Sequence, residues 1–378
     1  MTFDPSIRIG VLGGGQLGRM MIQSAMNLNL EIASMDPDPN APCKSLASHF
    51  VNGDITSYDE VLAFGEAFDV ITVEIENVNV EALEELERRG KKVFPQPRVL
   101  RTIKDKGLQK QFYLDHGIPT SDFVFIDQKE ELKNHTDLLP AANKLRTEGY
   151  DGRGVQIIKT EADLNKGFEA PSILEKFVDY HKEISVIVAR NEKGDMETFP
   201  VVELEYHPEQ NLVEFLFSPS ELEEELRIKA RDLAKKVISE FDMVGLLAVE
   251  MFATKDGEIL VNECAPRTHN SGHHTIEGNI TSQFEQHIRA ILNLPLGDTS
   301  VKGSAVMINL LGHPDYSGQA KYEGIEEAMA HSGMHLHLYG KKLTKPFRKM
   351  GHATLVGDDL QALKDKAREF KESIKIIA

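Results

Sequence analysis

NECAPRTHNSGHHT, residues Asn262–Thr275, packs more chemically versatile side chains into fourteen positions than an ordinary surface loop carries. Two strand-like runs lead into it, Gly245–Ala253 and Glu258–Asn262, joined by the turn Lys255-Asp256-Gly257. Glu250 follows the apolar run Leu246–Val249, and Glu263 follows Ile259–Asn262. Carboxylates on paired antiparallel strands can face the same side, and at the end of an apolar strand they are costly unless paired or bound to a metal. Magnesium is held by oxygen ligands, typically one or two carboxylates plus substrate phosphates. That makes Glu250 and Glu263 candidate magnesium ligands, with Asn262 beside them; an ion pair to Arg267 is the simpler alternative. Zinc fits less well, because no histidine pair four residues apart brackets a glutamate and thiolate ligands are missing. Arg267 offers a planar fork for phosphate or carboxylate, and His269, Asn270, Ser271 and His273 offer directed hydrogen bonds.

Upstream, Gly149-Tyr150-Asp151-Gly152-Arg153-Gly154 lies between strand-like segments, with Lys144 before it. Glycines let backbone close over phosphates and lysine supplies a point charge. A hairpin tip at Asp151-Gly152 is compatible with the same residues acting as a lid. Glu175-Lys176-Phe177-Val178 ends an apolar stretch and could offer backbone groups to a purine ring, and Glu183 could take a ribose hydroxyl. Equally, these are solvated charges at a strand end. Residues 220–241 carry a helical stripe of Leu222, Leu226, Ala230, Leu233, Val237 and Phe241.

The first hundred residues alternate strand runs with helical patterns, a βαβ signature. Strands are expected at Ile7–Leu12, Glu31–Met35, Asp69–Ile75 and from Val93, with a helix over Leu17–Asn27, a linker at Pro95 and Pro97, and a helix over Lys104–His116. Gly13-Gly14-Gly15-Gln16-Leu17-Gly18 satisfies G-x-G-x-x-G between strand and helix, where amides can receive an anion. With Asp36 at the end of the second strand, a nicotinamide dehydrogenase is an alternative from this half alone. Towards the C-terminus, Tyr339-Gly340-Lys341-Lys342 and Arg348-Lys349-Met350-Gly351-His352 form a basic cluster suited to a phosphate-bearing substrate or to a solvated face. Leu360–Ile374 reads as an amphipathic helix.

Composition narrows the classes. The 378 residues hold 43 Lys and Arg against 60 Asp and Glu, a net charge of −17, which disfavours general nucleic-acid binding. The hydrophobic share of 41 % supports an ordinary globular core, and no run is long enough to span a bilayer. Met1–Arg8 has no apolar core, so no secretory signal is expected. Cys43 and Cys264 are too few for a disulfide framework and fit a reducing cytosol.

Taken together, GGGQLGRM (Gly13–Met20), Glu74-Ile75-Glu76-Asn77-Val78, GYDGRG (Gly149–Gly154), EKFV (Glu175–Val178), NECAPRTHNSGHHT and RKMGH (Arg348–His352) resemble the N5-carboxyaminoimidazole ribonucleotide synthetases of the ATP-grasp superfamily. The resemblance runs from Ile9 to His352. It implies an α/β protein with an N-terminal βαβ parallel-sheet domain (1–102), an α+β ATP-grasp domain (103–300) with a lid at about 121–190, and a small C-terminal domain (301–378). It implies ATP contacts at Lys106, Lys144, Gly149, Tyr150, Asp151, Gly152, Arg153, Gly154, Glu175, Lys176, Phe177, Val178, Glu183, His207, Asn262 and Glu263. Magnesium would sit on Glu250 and Glu263. Aminoimidazole ribonucleotide would lie between Gly15, Gln16, Leu17 and Glu76 on one side and Asn270, Ser271, Lys341, Arg348 and Lys349 on the other. Tyr150, Asp151, Arg153, Arg267 and His269 would surround a carboxyphosphate intermediate formed from bicarbonate. A cytoplasmic homodimer is the implied state.

The chain departs from the family pattern at Glu148, where glycine is usual, and at Lys106, where arginine is usual. It departs again at Leu204, Lys345 and Phe347. Other ATP-grasp ligases, such as a formate-dependent transformylase or a biotin-type carboxylase, are rivals within the superfamily, and a non-catalytic nucleotide-binding regulator is a rival outside catalysis.

Overall fold

The structure is a computed structural model, and it describes residues 3–147, 154–208, 210 and 212–378. Five parallel strands open the chain: β1 (Ile9–Leu12), β2 (Ile32–Asp36), β3 (Phe50–Asn52), β4 (Val70–Val73) and β5 (Lys92–Val93), in the order β3-β2-β1-β4-β5. β1 and β4 are buried at every position. Helices cover both faces of such a sheet, which is why these strands read as unbroken apolar runs. β3 was not among the expected strands: Phe50-Val51-Asn52 is a three-residue edge and too short to show a period.

The expected linker at Pro95 and Pro97 and the single helix over Lys104–His116 are corrected. Pro97 begins a helix, Pro97–Lys104, using a position where its missing N–H costs nothing. The chain then breaks at Asp105, whose carboxylate accepts from the amides of Gly107 and Leu108 and caps a second helix, Lys106–Asp115. The break places Lys106 at the first turn of that helix.

A four-stranded antiparallel sheet follows: β6 (Phe123–Ile126), β7 (Ala141–Leu145), β8 (Val155–Ile158) and β9 (Ser172–Lys176), in the order β6-β9-β7-β8. β7 and β8 pair from Ala141 opposite Ile158 to Lys144 opposite Val155. Residues 148–153 between them lie outside the described residues. The expected lid reached residue 190, but β10 (Tyr180–Arg190) belongs to the central sheet, because it pairs along ten positions with β14.

That central sheet has nine strands. β11 (Met196–Thr198), β12 (Val202–Tyr206), β13 (Val213–Ser218), β14 (Gly245–Thr254), β15 (Ile259–Ala265) and β16 (Ser304–Leu311) join β10, and Lys349–Gly357 and Met334–Leu338 complete it. β13 pairs β16, with Phe215 opposite Ile308, so the sheet continues past the 300/301 division drawn from the sequence. Helix Glu224–Glu240 buries Ala230, Ala234, Val237 and Ile238 against Ile184, Val186, Val188, Leu247, Val249 and Val261. This leaves the opposite side chains of β10, β14 and β15 to face a cleft, since successive residues of a strand alternate faces. Helix Leu360–Ser373 covers the far end of the sheet through Leu363, Ala367 and Phe370. Among the described residues no helix is long and apolar enough to cross a membrane.

Candidate active site

On the cleft face, Ser185 of β10 lies opposite Glu250 of β14, and Glu250 lies opposite Glu263 of β15. The β14–β15 register slips by one between Glu250 and Met251: Glu250 faces Glu263, but Met251 already faces Val261. Asn262 is therefore the extra residue of a β-bulge, and a bulge re-aims the side chains beside it. Consecutive residues Asn262 and Glu263 both reach lysines of the cleft as a result. Lys144 Nζ donates to Asn262 Oδ1 at 3.1 Å, and Lys106 Nζ donates to Glu263.

The electrostatics of the two glutamates diverge. Burial, then the neighbouring Glu263 and Glu183, push the Glu250 carboxyl up from its ordinary value. Lys106 holds Glu263 down despite burial, aided by Lys144. Glu183, Glu250 and Glu263 crowd three carboxylates onto one face, and the adjacent pair Glu250 and Glu263 could hold a divalent cation. The Arg267 alternative is set aside by geometry, because Arg267 pairs with Glu76 at 2.9 Å. Among the described residues no three His, Cys, Asp or Glu side chains gather into a metal cluster.

Below these groups is a buried network that sequence reasoning missed in part. Glu175, 3 % exposed, meets Lys110 at 2.6 Å and Lys144 at 2.6 Å and accepts from Ser121. Burial alone would raise the Glu175 carboxyl, but Lys144 and Lys110 outweigh it and hold it well below the carboxylate range. Burial pushes Lys110 down to about 8 against the pull of Glu175. Lys110 also donates to Thr120 at 2.6 Å. Its signal was its position three residues before the buried Tyr113, on the inner face of the helix.

Glu183 shares the cleft face through its place two residues before Ser185 on β10. Burial raises its carboxyl, while Tyr180 and Tyr206 hydrogen-bond to it. His269 Nε2 lies 3.7 Å from Glu250, and its Nδ1 is 2.9 Å from Ser271 Oγ, which is 2.9 Å from Ser185 Oγ. Asn270 and Asn309 exchange amide hydrogen bonds at 2.9 Å.

The glycine loop is differently occupied from a dinucleotide site. The amides of Gly15 and Gly18 donate to Glu74 at 2.5 and 2.8 Å, and Gly14 donates to Asp36 at 2.7 Å. The two acids fill the turn, so Asp36 serves the loop and not a ribose. Gln16 and Leu17 open helix Gln16–Met26. Tyr339 packs with Ile9, Leu17 and Met21, and Lys342 donates to Asn40 at 3.1 Å, which brings the C-terminal basic segment to this domain. Lys341 donates to the Lys349 carbonyl at 2.8 Å, and Lys349 lies near enough to Glu250 to oppose its upward shift. Arg348 donates to the Leu343 carbonyl at 2.6 Å.

Of the remaining candidates, Lys176 ends β9 with a side chain 55 % exposed, Phe177 is exposed and Val178 follows them. His207 accepts from the Gln210 amide at 3.2 Å, with its ring edge-on to Phe347 at 5.7 Å. Gly154 takes a positive φ of 79°. Gly149, Tyr150, Asp151, Gly152 and Arg153, with Glu148, lie outside the described residues.

A strand-built cleft with paired carboxylates, lysines from two elements and an antiparallel cover sheet defines a nucleotide-dependent ligase of the ATP-grasp class. The ATP-grasp domain matches residues 111–284, the ribonucleotide synthetase preATP-grasp domain residues 7–104, and the phosphoribosylaminoimidazole carboxylase C-terminal domain residues 305–366. The N5-carboxyaminoimidazole ribonucleotide synthase of Bacillus subtilis is 38 % identical over 359 residues, covering 93 % of this chain and 92 % of that one. The N5-carboxyaminoimidazole ribonucleotide synthetase structure from Thermotoga maritima superposes with a TM-score of 0.91 at 40 % identity, covering 98 % and 99 % of the two chains. An Aspergillus clavatus synthase in complex with ADP and 5-aminoimidazole ribonucleotide has a TM-score of 0.89 at 31 % identity, covering 97 % and 98 %. The chain also matches plant and yeast phosphoribosylaminoimidazole carboxylases, of whose length it spans 64 to 66 %. The chain belongs to the N5-carboxyaminoimidazole ribonucleotide synthetase family.

Proposed function

We propose that this protein uses ATP and bicarbonate to carboxylate 5-aminoimidazole ribonucleotide, giving N5-carboxyaminoimidazole ribonucleotide, ADP and phosphate in purine synthesis. The observation that carries the reading is the cross-strand pair Glu250 and Glu263, ringed by Lys106, Lys144 and Asn262 in one cleft. Family membership and the relative that holds ADP with the ribonucleotide support it.

ATP would bind between the four-stranded sheet and the central sheet, with Glu175, Lys176, Phe177 and Val178 along the base and Glu183 at the ribose. Lys106 and Lys144 would exchange their carboxylate partners for phosphate oxygens. Glu250 and Glu263 would hold magnesium, which supplies charge neutralisation at the transferring phosphoryl group. A bicarbonate oxygen attacks the γ-phosphorus, the bond to ADP breaks, and carboxyphosphate forms. The ribonucleotide's amine then forms the new nitrogen–carbon bond on the activated carbon as phosphate leaves and the amine loses a proton.

Arg267, fixed by Glu76, and His269, fixed by Ser271, would face the bicarbonate-derived group. Gly149–Gly154, with Tyr150, Asp151 and Arg153, would close over the phosphates and keep water from the intermediate. Gly15, Gln16, Leu17, Glu76, Asn270, Ser271, Lys341, Arg348 and Lys349 would bound the ribonucleotide. The division into 1–102, 103–300 and 301–378, a homodimeric state and a cytoplasmic location belong to the same reading.

The test is ADP release with MgATP and bicarbonate, with and without the ribonucleotide, paired with capture of labelled bicarbonate in product. Ribonucleotide-dependent release with label incorporation is expected. Nucleotide binding without any ribonucleotide stimulation would sink the named substrate, and stimulation by formate would point to a transformylase.

A further inference from the structure

Tyr206 is used by none of the roles above, yet it connects two of them. Its ring packs among Val202, Leu204, Leu216, Met307 and Val213 at the end of β12. Its hydroxyl donates to Glu250 Oε2 at a long 3.5 Å, with the Glu183 carboxylate also drawing on it. The β12–β13 register slips by one between Glu205 and Tyr206, so that Tyr206 faces Val213 while Glu205 faces Phe215. Bulges of this kind re-aim the neighbouring side chain. Tyr180 is the second phenol on Glu183, and it stacks on Phe252 at 5.0 Å.

A phenol has one proton to donate. Between two carboxylates Tyr206 satisfies one at a time, whereas Glu183 has other donors available and Glu250 has His269 at 3.7 Å. A ribose hydroxyl donating to Glu183 would relieve its pull on Tyr206 and let the long bond to Glu250 close. Donation to one carboxylate oxygen then turns the other towards a metal.

We propose that Tyr206 is a positioning residue that couples ribose recognition at Glu183 to the orientation of the metal-binding carboxylate Glu250. This rests on the nucleotide and metal assignments proposed above. It adds that ribose recognition and metal affinity are linked through one hydroxyl, so that loss of the hydroxyl weakens both. Lys182 and Glu203, on the opposite faces of the same strands, pair with each other at 2.6 Å and take no part.

The experiment measures binding of MgADP to the full chain by calorimetry, for wild type and Tyr206→Phe, over a range of Mg2+ concentrations. The same titrations are run with 2′- and 3′-deoxyADP. Nucleotide affinity needs no carboxylation, so failure of the named reaction leaves this readout intact. The Phe variant is expected to lose at least threefold of the preference for ADP over the better-discriminated deoxy analogue. It is also expected to need at least threefold more Mg2+ for half-maximal enhancement of binding. If either quantity stays within the error of wild type, the coupling is overturned. Glu250→Gln separates the two levels: a variant whose Mg2+ dependence matches wild type removes the metal assignment and the coupling with it. A Glu250→Gln variant that loses Mg2+ dependence beside an unaffected Tyr206→Phe overturns the coupling alone.

Discussion

Lys106 Nζ and the Glu263 carboxylate form an ion pair that joins the first turn of a helix to the edge strand of the central sheet. The pair exists because Asp105 stops one helix and caps the next, and because the bulge at Asn262 turns Glu263 into the cleft. Lys106 thus keeps Glu263 ionised despite its burial. Lys106→Met should lower kcat/KM for ATP by about 10- to 100-fold, the equivalent of about 1.4 to 2.8 kcal/mol. Lys106→Arg, which keeps the charge, should retain most of it. Steady-state kinetics at saturating ribonucleotide decides, and an unchanged kcat/KM in the Met variant would remove Lys106 from nucleotide binding.

Glu250 carries the opposite consequence. Its carboxyl is raised by burial and by Glu263, so the folded state binds a proton more readily there than the unfolded chain does. Stability from this group is therefore present at low pH and is lost as pH rises through its folded pKa. In EDTA, Glu250→Gln should be more stable than wild type by about 1 kcal/mol or more near pH 8, and the gain should shrink near pH 5. On the proposed reading of Glu250 as a cation ligand, turnover should fall by about 100-fold or more. Urea unfolding at the two pH values, beside ADP release, tests both halves. A variant that is no more stable near pH 8 would contradict the electrostatic reading.

The buried trio Lys110, Glu175 and Lys144 predicts a fold defect and not only a binding defect. Lys110 and Glu175 are 2 % and 3 % exposed. Removing one partner of such a pair leaves an uncompensated charge and costs about 3 to 5 kcal/mol. Because Lys144 still meets Glu175 at 2.6 Å, Lys110→Met should lose part of that in chemical denaturation, while Lys110→Met combined with Glu175→Leu should recover some of it. Equal losses in the single and double variants would show that the pair itself is not the source.

Much of this was legible along the chain, and the gaps have physical reasons. Four of the five parallel strands were readable because unbroken apolar runs alternate with a helical stripe, and the three-residue edge Phe50–Asn52 was not. The Glu250–Glu263 placement was readable because two strands met at a short turn. What linear pattern cannot carry is register. Asn262 and Glu263 alternate faces in a regular strand, and only the one-residue slip against Met251 brings both to the lysines. Nor does a period of 3.6 reveal the stop at Asp105, since the two helices abut and only the extended backbone of that one residue separates them. Lys110 was passed over because a lysine in a polar helix reads as solvated until its partner, 65 residues away in sequence, is known. The glycine loop was ambiguous for the same reason: Glu74, which fills it, arrives from another strand.

Gly15 gives a sharper test of that filling. A Cβ there would lie 2.5 Å from Glu74 Oε1, inside the hydrogen bond that its own amide makes. Gly15→Ala must displace the carboxylate or the turn. It should raise KM for the ribonucleotide at least fivefold while leaving nucleotide affinity within twofold, because the nucleotide cleft is built from other strands. Equal losses in both would mean that the loop is not a separate ribonucleotide wall.

Acid sensitivity should trace to His287. The residue is fully buried, its Nε2 is 2.9 Å from Thr72 Oγ1, and its Nδ1 has no hydrogen-bond partner among the described residues. Burial pushes its pKa down to about 4. The unfolded chain, with an ordinary histidine near 6.5, then binds a proton that the folded protein refuses over the interval between those values. Stability is complete above the unfolded value and falls with pH through that window, reaching a loss of about 2 kcal/mol near pH 5 from this group alone. His287→Gln keeps a donor and an acceptor but cannot titrate. Its stability should be lower than wild type near pH 7, where the fit of the imidazole ring to Thr72 and Gly245 is lost, yet decline less between pH 7 and 5. Urea unfolding at several pH values gives the two slopes, and parallel curves would show that His287 does not set the acid limit.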